Sequence, residues 1–464
     1  MTNITSPVCS PKSSGRERLY KIADGLEVGV SVVANPYGIG LDRLFGMAAR
    51  INKKRAFLFV SKLLGKHIAV HPALSLASGA LLGDLYSRLV LHRQAEVSAE
   101  QMQEAIDDRH RADELYSRLM ANKIKLEEPT LFIGFAETAT ALGHSMFEAF
   151  EGSAAYLHTT RETVGGQEPL IQFEEEHSHA TAHRCYVRDE DLFRKASKVV
   201  LVDDEITTGR TSLNIIKELH EAFGHRDFVV ASLLDWRSAE DRESFAALEQ
   251  ELGIGIRCLA LVEGVIEVKG SPVAEKAAVN SAPDVTDDFV IRKLDVSRLF
   301  KHREGDDEPA YLWHTGRFGI EASEGDSLKR EVELAAAELA AHRTSRRSVC
   351  IGTGEFMYVP MRIAALMGEG VVFQSTTRSP IHPLRDESYA ITSAYRFDSV
   401  DDAEVPNFVY NIEPGQYDEA FVFVEREYTA AQGDSFESTL SRLGIPVVHL
   451  VVFGIADGAS EVTA

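Results

Sequence analysis

The stretch Val199–Thr211, "VVLVDDEITTGRT", sets three acids and a hydroxyl-rich turn directly behind an apolar run. Ionised Asp203 and Asp204 only accept hydrogen bonds, so they suit partners that donate, such as the 2′- and 3′-hydroxyls of a ribose. Glu205 follows them, and Thr207, Thr208, Gly209, Arg210 and Thr211 then turn into a helix. Unpaired backbone N–H groups at a helix start, the helix dipole and threonine hydroxyls all favour an anion. Gly209 permits a backbone conformation or approach that a side chain would block. Acids and cradle thus fit two ends of one ligand, sugar hydroxyls and a phosphate. The plain alternative is a strand-end acid pair before a Thr-capped helix, which explains either part of the string better than the whole.

Such residues need rigid elements behind them. Val199–Val202 reads as a buried strand and "SLNIIKELHEAF" as the helix after it. Upstream, residues 29–35 and 56–60 read as strands, and residues 79–124 as helical with long polar faces. "PTLFIGF" (129–135) is a short buried strand, "ATALGHSMFEAF" its helix, and "AAYLHTT" the next strand. Residues 162–186 are His/Glu-rich without apolar periodicity and read as a loop or hairpin. "DFVVASLLDW" is a further strand. Strands alternating with helices, and nearly continuous in Val, Leu and Ile, predict an α/β fold with a parallel sheet covered on both faces. Ligands of such sheets sit beyond the carboxyl ends of the strands. Both Asp203-Asp204 and the segment Gly134, Phe135, Ala136, Glu137, Thr138 fall there.

The 464 residues are too many for one small core and imply more than one domain. We expect a disordered tail over 1–25, a first domain over 26–272, a polar linker over 273–309 and a second domain over 310–464. A net charge of −22 argues against a nucleic-acid partner. No apolar run of about 18 residues is present, so no membrane span is expected. Cys9, Cys185, Cys258 and Cys350 form no zinc-like pattern. A cytoplasmic protein is the expectation.

The second region looks like a worn copy of the first. "FLFVSKLLG" (57–65) lies over "YLWHTGRFG" (311–319), and "IGFAE" (133–137) over "IGTGE" (351–355). "TTR" recurs at 159–161 and 376–378. "VVLVDDEIT" (199–207) lies over "FVFVEREYT" (421–429), and "FVVASLLDW" over "VVHLVVFG". Each match is weak, but their common order argues for duplication. The second copy keeps Glu425 and Thr429 and loses the Thr-Thr-Gly-Arg cradle, so it is not expected to hold the same ligand in the same way. Trp236 offers a face for stacking on a base, against the alternative of a packed core indole. Lys66, with Lys62 and His67, offers a cationic rim, against a solvated hairpin edge. His177, His179 and His183 offer either metal ligands or imidazoles that meet phosphate and move protons.

"VVLVDDEITTGRT" resembles the phosphoribosyl-pyrophosphate (PRPP) signature of type I phosphoribosyltransferases. "VSKLLGKHI", "GFAETATALG", "LHTTRE", "EEHSHAT" and "LLDWR" are similar to the orotate-phosphoribosyltransferase-like family found with tellurium-resistance-type operons. Members of that family carry a C-terminal domain named for the residues Thr-Arg-Ser-Pro, here Thr377–Pro380, preceded by "HTGRFG". The resemblance implies a Mg²⁺-dependent transferase that displaces pyrophosphate from PRPP with a base-like nitrogen acceptor. It implies that Asp203 and Asp204 hold ribose hydroxyls and, through PRPP, Mg²⁺. Glu205 and Thr207–Thr211 would bind PRPP, Gly134–Thr138 the pyrophosphate, and Arg161 would be its basic partner. Residues 163–186 stand where relatives carry a mobile loop with a catalytic lysine; this chain has His177, His179, His183 and Arg184 instead. A homodimer is a further expectation. Two rival readings stand beside it, a PRPP sensor without chemistry and a ribose-phosphate pyrophosphokinase-like enzyme.

Overall fold

Two sheets, one mostly and one wholly parallel, carry the chain, and their four central strands follow the same order. The computed structural model describes residues 17–23, 25–51, 56–174, 182–270, 289–303, 309–386, 388–402 and 404–455. The first half holds β1 (Glu17–Ala23), β2 (Leu26–Ala34), β3 (Phe45–Ala49), β4 (Phe57–Ser61), β5 (Ile124–Gly134), β6 (Phe150–His158), β7 (Ile171–Glu174), β8 (Ala182–Cys185), β9 (Lys198–Ile206), β10 (Asp227–Asp235) and β11 (Gly255–Lys269). The second holds β12 (Val290–Asp295), β13 (Ile320–Glu321), β14 (Ser348–Gly352), β15 (Val371–Ser375), β16 (Ala394–Asp398), β17 (Pro406–Tyr410), β18 (Glu419–Val424) and β19 (Val447–Val452).

The first sheet runs β1-β2-β11-β10-β9-β5-β6-β13, and its five core strands β11 to β6 are parallel. The second runs β12-β19-β18-β14-β15, parallel throughout. Read from the β6 or β15 side, each core starts with its second strand, then its first, third and fourth. Helices Ala139–Glu148 and Arg210–Phe223 follow β5 and β9; Tyr358–Leu366 and Ala430–Ser441 follow β14 and β18. The strands read as unbroken apolar runs because both faces are covered: Val199–Val202 are wholly buried. The same anchors stand at the same strand ends in both halves, as the repeated strings predict.

The halves interlock. Helix Pro72–Leu89 is buried from Pro72 through Ser87 and packs on both Ala139–Glu148 and Tyr358–Leu366. One apolar core includes Leu81, Met146 and Met361, so it crosses from half to half. Each half also lends a turn to the other's sheet edge. Ile320 pairs with Tyr156 of β6, and Val70 with Phe373 of β15. His158 N donates to Gly316 O at 3.1 Å, and Ser375 N to Gly65 O at 2.8 Å. A Cβ on Gly316 would lie 2.5 Å from Tyr156, and one on Gly65 2.9 Å from Phe373. The two turns are therefore equivalent, glycine on glycine, with Lys66 matching Arg317.

Three expectations need correction. The ungapped overlay of 57–65 on 311–319 is out of register by three residues, because β4 belongs to a hairpin with β3 whereas Trp313–Thr315 is a 3-10 turn. Apolar runs align readily without sharing structure. The expected tail ends in β1, an edge strand that pairs with β2. The expected linker contains β12, which joins the second sheet beside β19.

Candidate functional site

β9 sets the acid pair. Its ladder with β10 continues past the apolar run to Ile206, so Asp203 and Asp204 lie within the strand rather than after it. Both are half-buried, and Asp204 N donates to Asp203 Oδ1 at 2.9 Å. The carboxylate of Asp204 has no hydrogen-bond or ion-pair partner among the described residues. Thr207 and Thr208 then bend the chain, and Gly209 precedes helix Arg210–Phe223 at φ 74°. A Cβ there would meet the Phe245 ring at 2.5 Å, so both conformation and space require glycine. Arg210 N donates to Thr208 Oγ1 at 3.4 Å, and the Arg210 side chain is exposed. A small recess, about 10 Å³, lies beside the acids and is lined by Leu44, Phe59, Leu63, Leu64, Asp204 and Leu234.

The next loop lies one strand over, after β5. Phe135 N donates to Val202 O at 3.0 Å and Ala136 N to Thr159 Oγ1 at 2.8 Å, which ties the loop to β9 and β6. The Ala136–Glu137 peptide is cis. The N–H groups of Glu137 and Thr138 donate to no described residue. Lys66 Nζ donates to Glu137 Oε2 at 2.8 Å and to Thr138 Oγ1 at 2.7 Å, and it is 4% exposed. Burial alone would raise the Glu137 pKa, but Lys66, Arg378 and Arg161 hold it below the usual range.

The second half closes over this loop reciprocally. Thr377 Oγ1 and Arg378 N donate to Glu137 Oε2 at 3.1 and 3.3 Å. Across the interface, Thr160 Oγ1 and Arg161 N donate to Glu355 at 2.5 and 2.8 Å. Each "TTR" therefore clasps the glutamate of the other half's "IGxxE". Arg317, 2% exposed, donates to Glu355 at 3.1 Å, Glu162 at 3.2 Å and Glu425 at 3.0 Å. Glu425 stands where the first half has Asp203, and in the second half Arg317 pairs with it. Burial pushes Glu162 up to about 7, whereas Arg317 and Arg378 outweigh burial at Glu355 and hold it down to about 2.

Several expected site residues have other employment. Lys66 is spent on the Glu137 loop and is not an acceptor contact. His67 is buried, and desolvation lowers its pKa to about 3; Lys62 Nζ donates to Asp42 O. Hence no cationic rim forms. Trp236 is 2% exposed and stacks on Phe59 at 5.2 Å, with Phe45 at its edge, so it is a core indole under the β3–β4 hairpin. Residues 162–186 include the β7–β8 hairpin. His183 is buried on Phe173 and bonds Thr159 through Nδ1 at 2.9 Å. Arg184 donates to Arg161 O at 3.0 Å. His177 and His179 lie outside the described residues. No group of three or more His, Cys, Asp or Glu side chains that could hold a metal ion occurs among the described residues.

Arg317 escaped the sequence reading. Its three carboxylates come from distant positions, and only the second "IGxxE" could have flagged Glu355 as the mate of Glu137.

Comparison with known families adds the context. Residues 44–265 match a family described as "Phosphoribosyl transferase", and residues 314–440 match the TRSP domain that lies C-terminal to it. No curated protein matches the chain. Among solved structures, it is similar to adenine phosphoribosyltransferase from Trypanosoma brucei, in complex with AMP, pyrophosphate and ribose-5-phosphate (20% identity, 35% of this chain and 68% of that one, TM-score 0.25). It is also similar to the enzyme from Giardia lamblia complexed with 9-deazaadenine (17%, 35% and 84%, 0.23) and to that from Leishmania donovani (17%, 39% and 79%, 0.23). An α/β sheet of this order followed by a second α/β half, with both family matches in sequence, identifies the chain as a phosphoribosyl transferase domain joined to its TRSP domain.

Proposed function

We propose that this chain is a Mg²⁺-dependent phosphoribosyltransferase that transfers the 5-phosphoribosyl group of PRPP to a nitrogen of a base-like acceptor. The observation that carries the reading is the continuity of β9, Gly209 and helix Arg210–Phe223, which puts paired carboxylates and an anion cradle on one rigid element. The loop Gly134–Thr138 on the neighbouring strand, with Arg161 one strand further, supports a diphosphate beside that ribose phosphate.

In this reading Asp203 and Asp204 accept from the 2′- and 3′-hydroxyls, and Thr207–Thr211 donate to the 5-phosphate. The acceptor nitrogen forms its bond to C1 as the bond from C1 to the diphosphate oxygen breaks, and pyrophosphate leaves. Positive charge develops on the ribose in that transition state, so the nearby carboxylates stabilise it while loop N–H groups and Arg161 hold the leaving group. Oxygen donors such as Asp203 and Asp204 fit Mg²⁺, which would offset the charge of the diphosphate when bound. The recess at Leu44, Phe59 and Leu64 holds about one water, so as it stands it is too small for a base.

The test is pyrophosphate release from PRPP and Mg²⁺ over a panel of nitrogenous bases. Release with at least one base is the expected result. PRPP binding without release from any base would replace the transferase with a sensor.

A further inference from the structure

Of the second-half residues, Thr377 and Arg378 are the ones that bond the Glu137 carboxylate. Arg378 does so with its backbone N–H. That contact fixes its Cα against the first half's loop and leaves the guanidinium uncommitted. Among the described residues the guanidinium has neither a hydrogen bond nor an ion pair. It is only partly exposed. Burial alone would lower its pKa, but Glu355, Glu137 and Glu162 raise it. Its counterpart across the interface is Arg161, whose N–H holds Glu355 in the same way. Two equivalent arginines therefore stand at the interface of the halves, one from each. The loop that Arg378 N holds also carries the N–H groups of Glu137 and Thr138, which donate to no described residue. The corresponding acid position of the second half, Glu425, is taken up by Arg317.

We propose that Arg378 is a second arginine of the first half's diphosphate site, delivered across the interface, and that this is the role of the Thr377–Pro380 string. The inference rests on the PRPP reading above. Lys66 is consumed by Glu137 and Arg317 by three glutamates, whereas Arg378 has no hydrogen bond or ion pair for its guanidinium among the described residues and is thus available to join Arg161 on a diphosphate. A guanidinium also matches phosphate oxygens in pairs, which an ammonium does not.

The experiment is calorimetric titration of the full chain with PRPP, pyrophosphate and ribose 5-phosphate in Mg²⁺, for wild type, Arg378→Gln, Arg378→Lys and Asp203→Asn/Asp204→Asn. Arg378→Gln is expected to weaken PRPP and pyrophosphate about 10- to 100-fold and to leave ribose 5-phosphate within about twofold. Arg378→Lys should recover part of the loss, and thermal melts should show both variants folded. Wild-type affinity for PRPP and pyrophosphate in Arg378→Gln would overturn the inference. So would equal losses of all three ligands with a lowered melting temperature, since that marks Arg378 as an internal counter-charge for Glu355. Failure of wild type to bind PRPP or ribose 5-phosphate would instead defeat the underlying reading and take the inference with it. An Asp203→Asn/Asp204→Asn variant that loses ribose 5-phosphate sustains that reading whichever way Arg378 behaves.

Discussion

Asp203 and Asp204 owe their usefulness to what surrounds them: a buried strand below, and a turn that needs glycine above. Replacing both by Asn removes charge and keeps shape. It should cost about 1–3 kcal/mol of transition-state stabilisation, roughly 5- to 150-fold in kcat/KM, measured as pyrophosphate release. Gly209→Ala meets the Phe245 ring and a left-handed backbone at once. It should lower stability by about 1–3 kcal/mol in urea unfolding. Glu162 supplies a pH signature. Its pKa in the folded chain, about 7, lies above its ordinary 4.5, so the folded state keeps a proton that the unfolded state releases between those values. Stability from this group is present below about 4.5 and is lost as pH rises to about 7. The urea midpoint should fall across that window, and Glu162→Gln should flatten the slope. The acid pair was legible in the sequence because strand, acids and turn are contiguous and their chemistry is local. Glu162 was not, because its shift comes from burial, chiefly, and from Arg317 and the acids of other segments around it.

At the scale of elements, Arg317 binds four of them together: the ends of β6, β14 and β18, and its own turn. Arg317→Met would leave buried carboxylates without their cation and should destabilise by about 3–5 kcal/mol, read by denaturant titration. Elements with a clear period were readable from sequence: β5, β6, β9 and β10, and the helices between them. β1 and β12 were missed because their Ser/Pro-rich or polar surroundings outweighed short, largely exposed strands. Trp236 shows the opposite error. Its place after β10 allowed a ligand contact, and only the hairpin β3–β4, far away in sequence, decides that Phe59 covers its face. The overlay of the two turns failed by three residues because hydrophobic pattern set Gly65 on Gly319, whereas the glycine that bonds the neighbouring sheet edge is Gly316.

At the scale of the whole molecule, the two halves share a core and clasp each other's loops, so they should not unfold separately. Scanning calorimetry of the full chain is expected to give one transition, and two well-separated transitions would refute this. The likeness of the two sheets was visible in sequence as five weak strings in one order, the first of them out of register by three residues. Their meeting face to face was not, since nothing local in "IGFAE" or "TTR" says that each will bond the other's copy. That reciprocity has an evolutionary consequence. Two identical subunits must change together, because one gene writes both sites. Once the partners are written in a single chain, each mutation strikes one copy alone. Arg317 could then settle on Glu425 in the second half while Asp203 kept its place in the first, and the two halves could diverge without ever being parted.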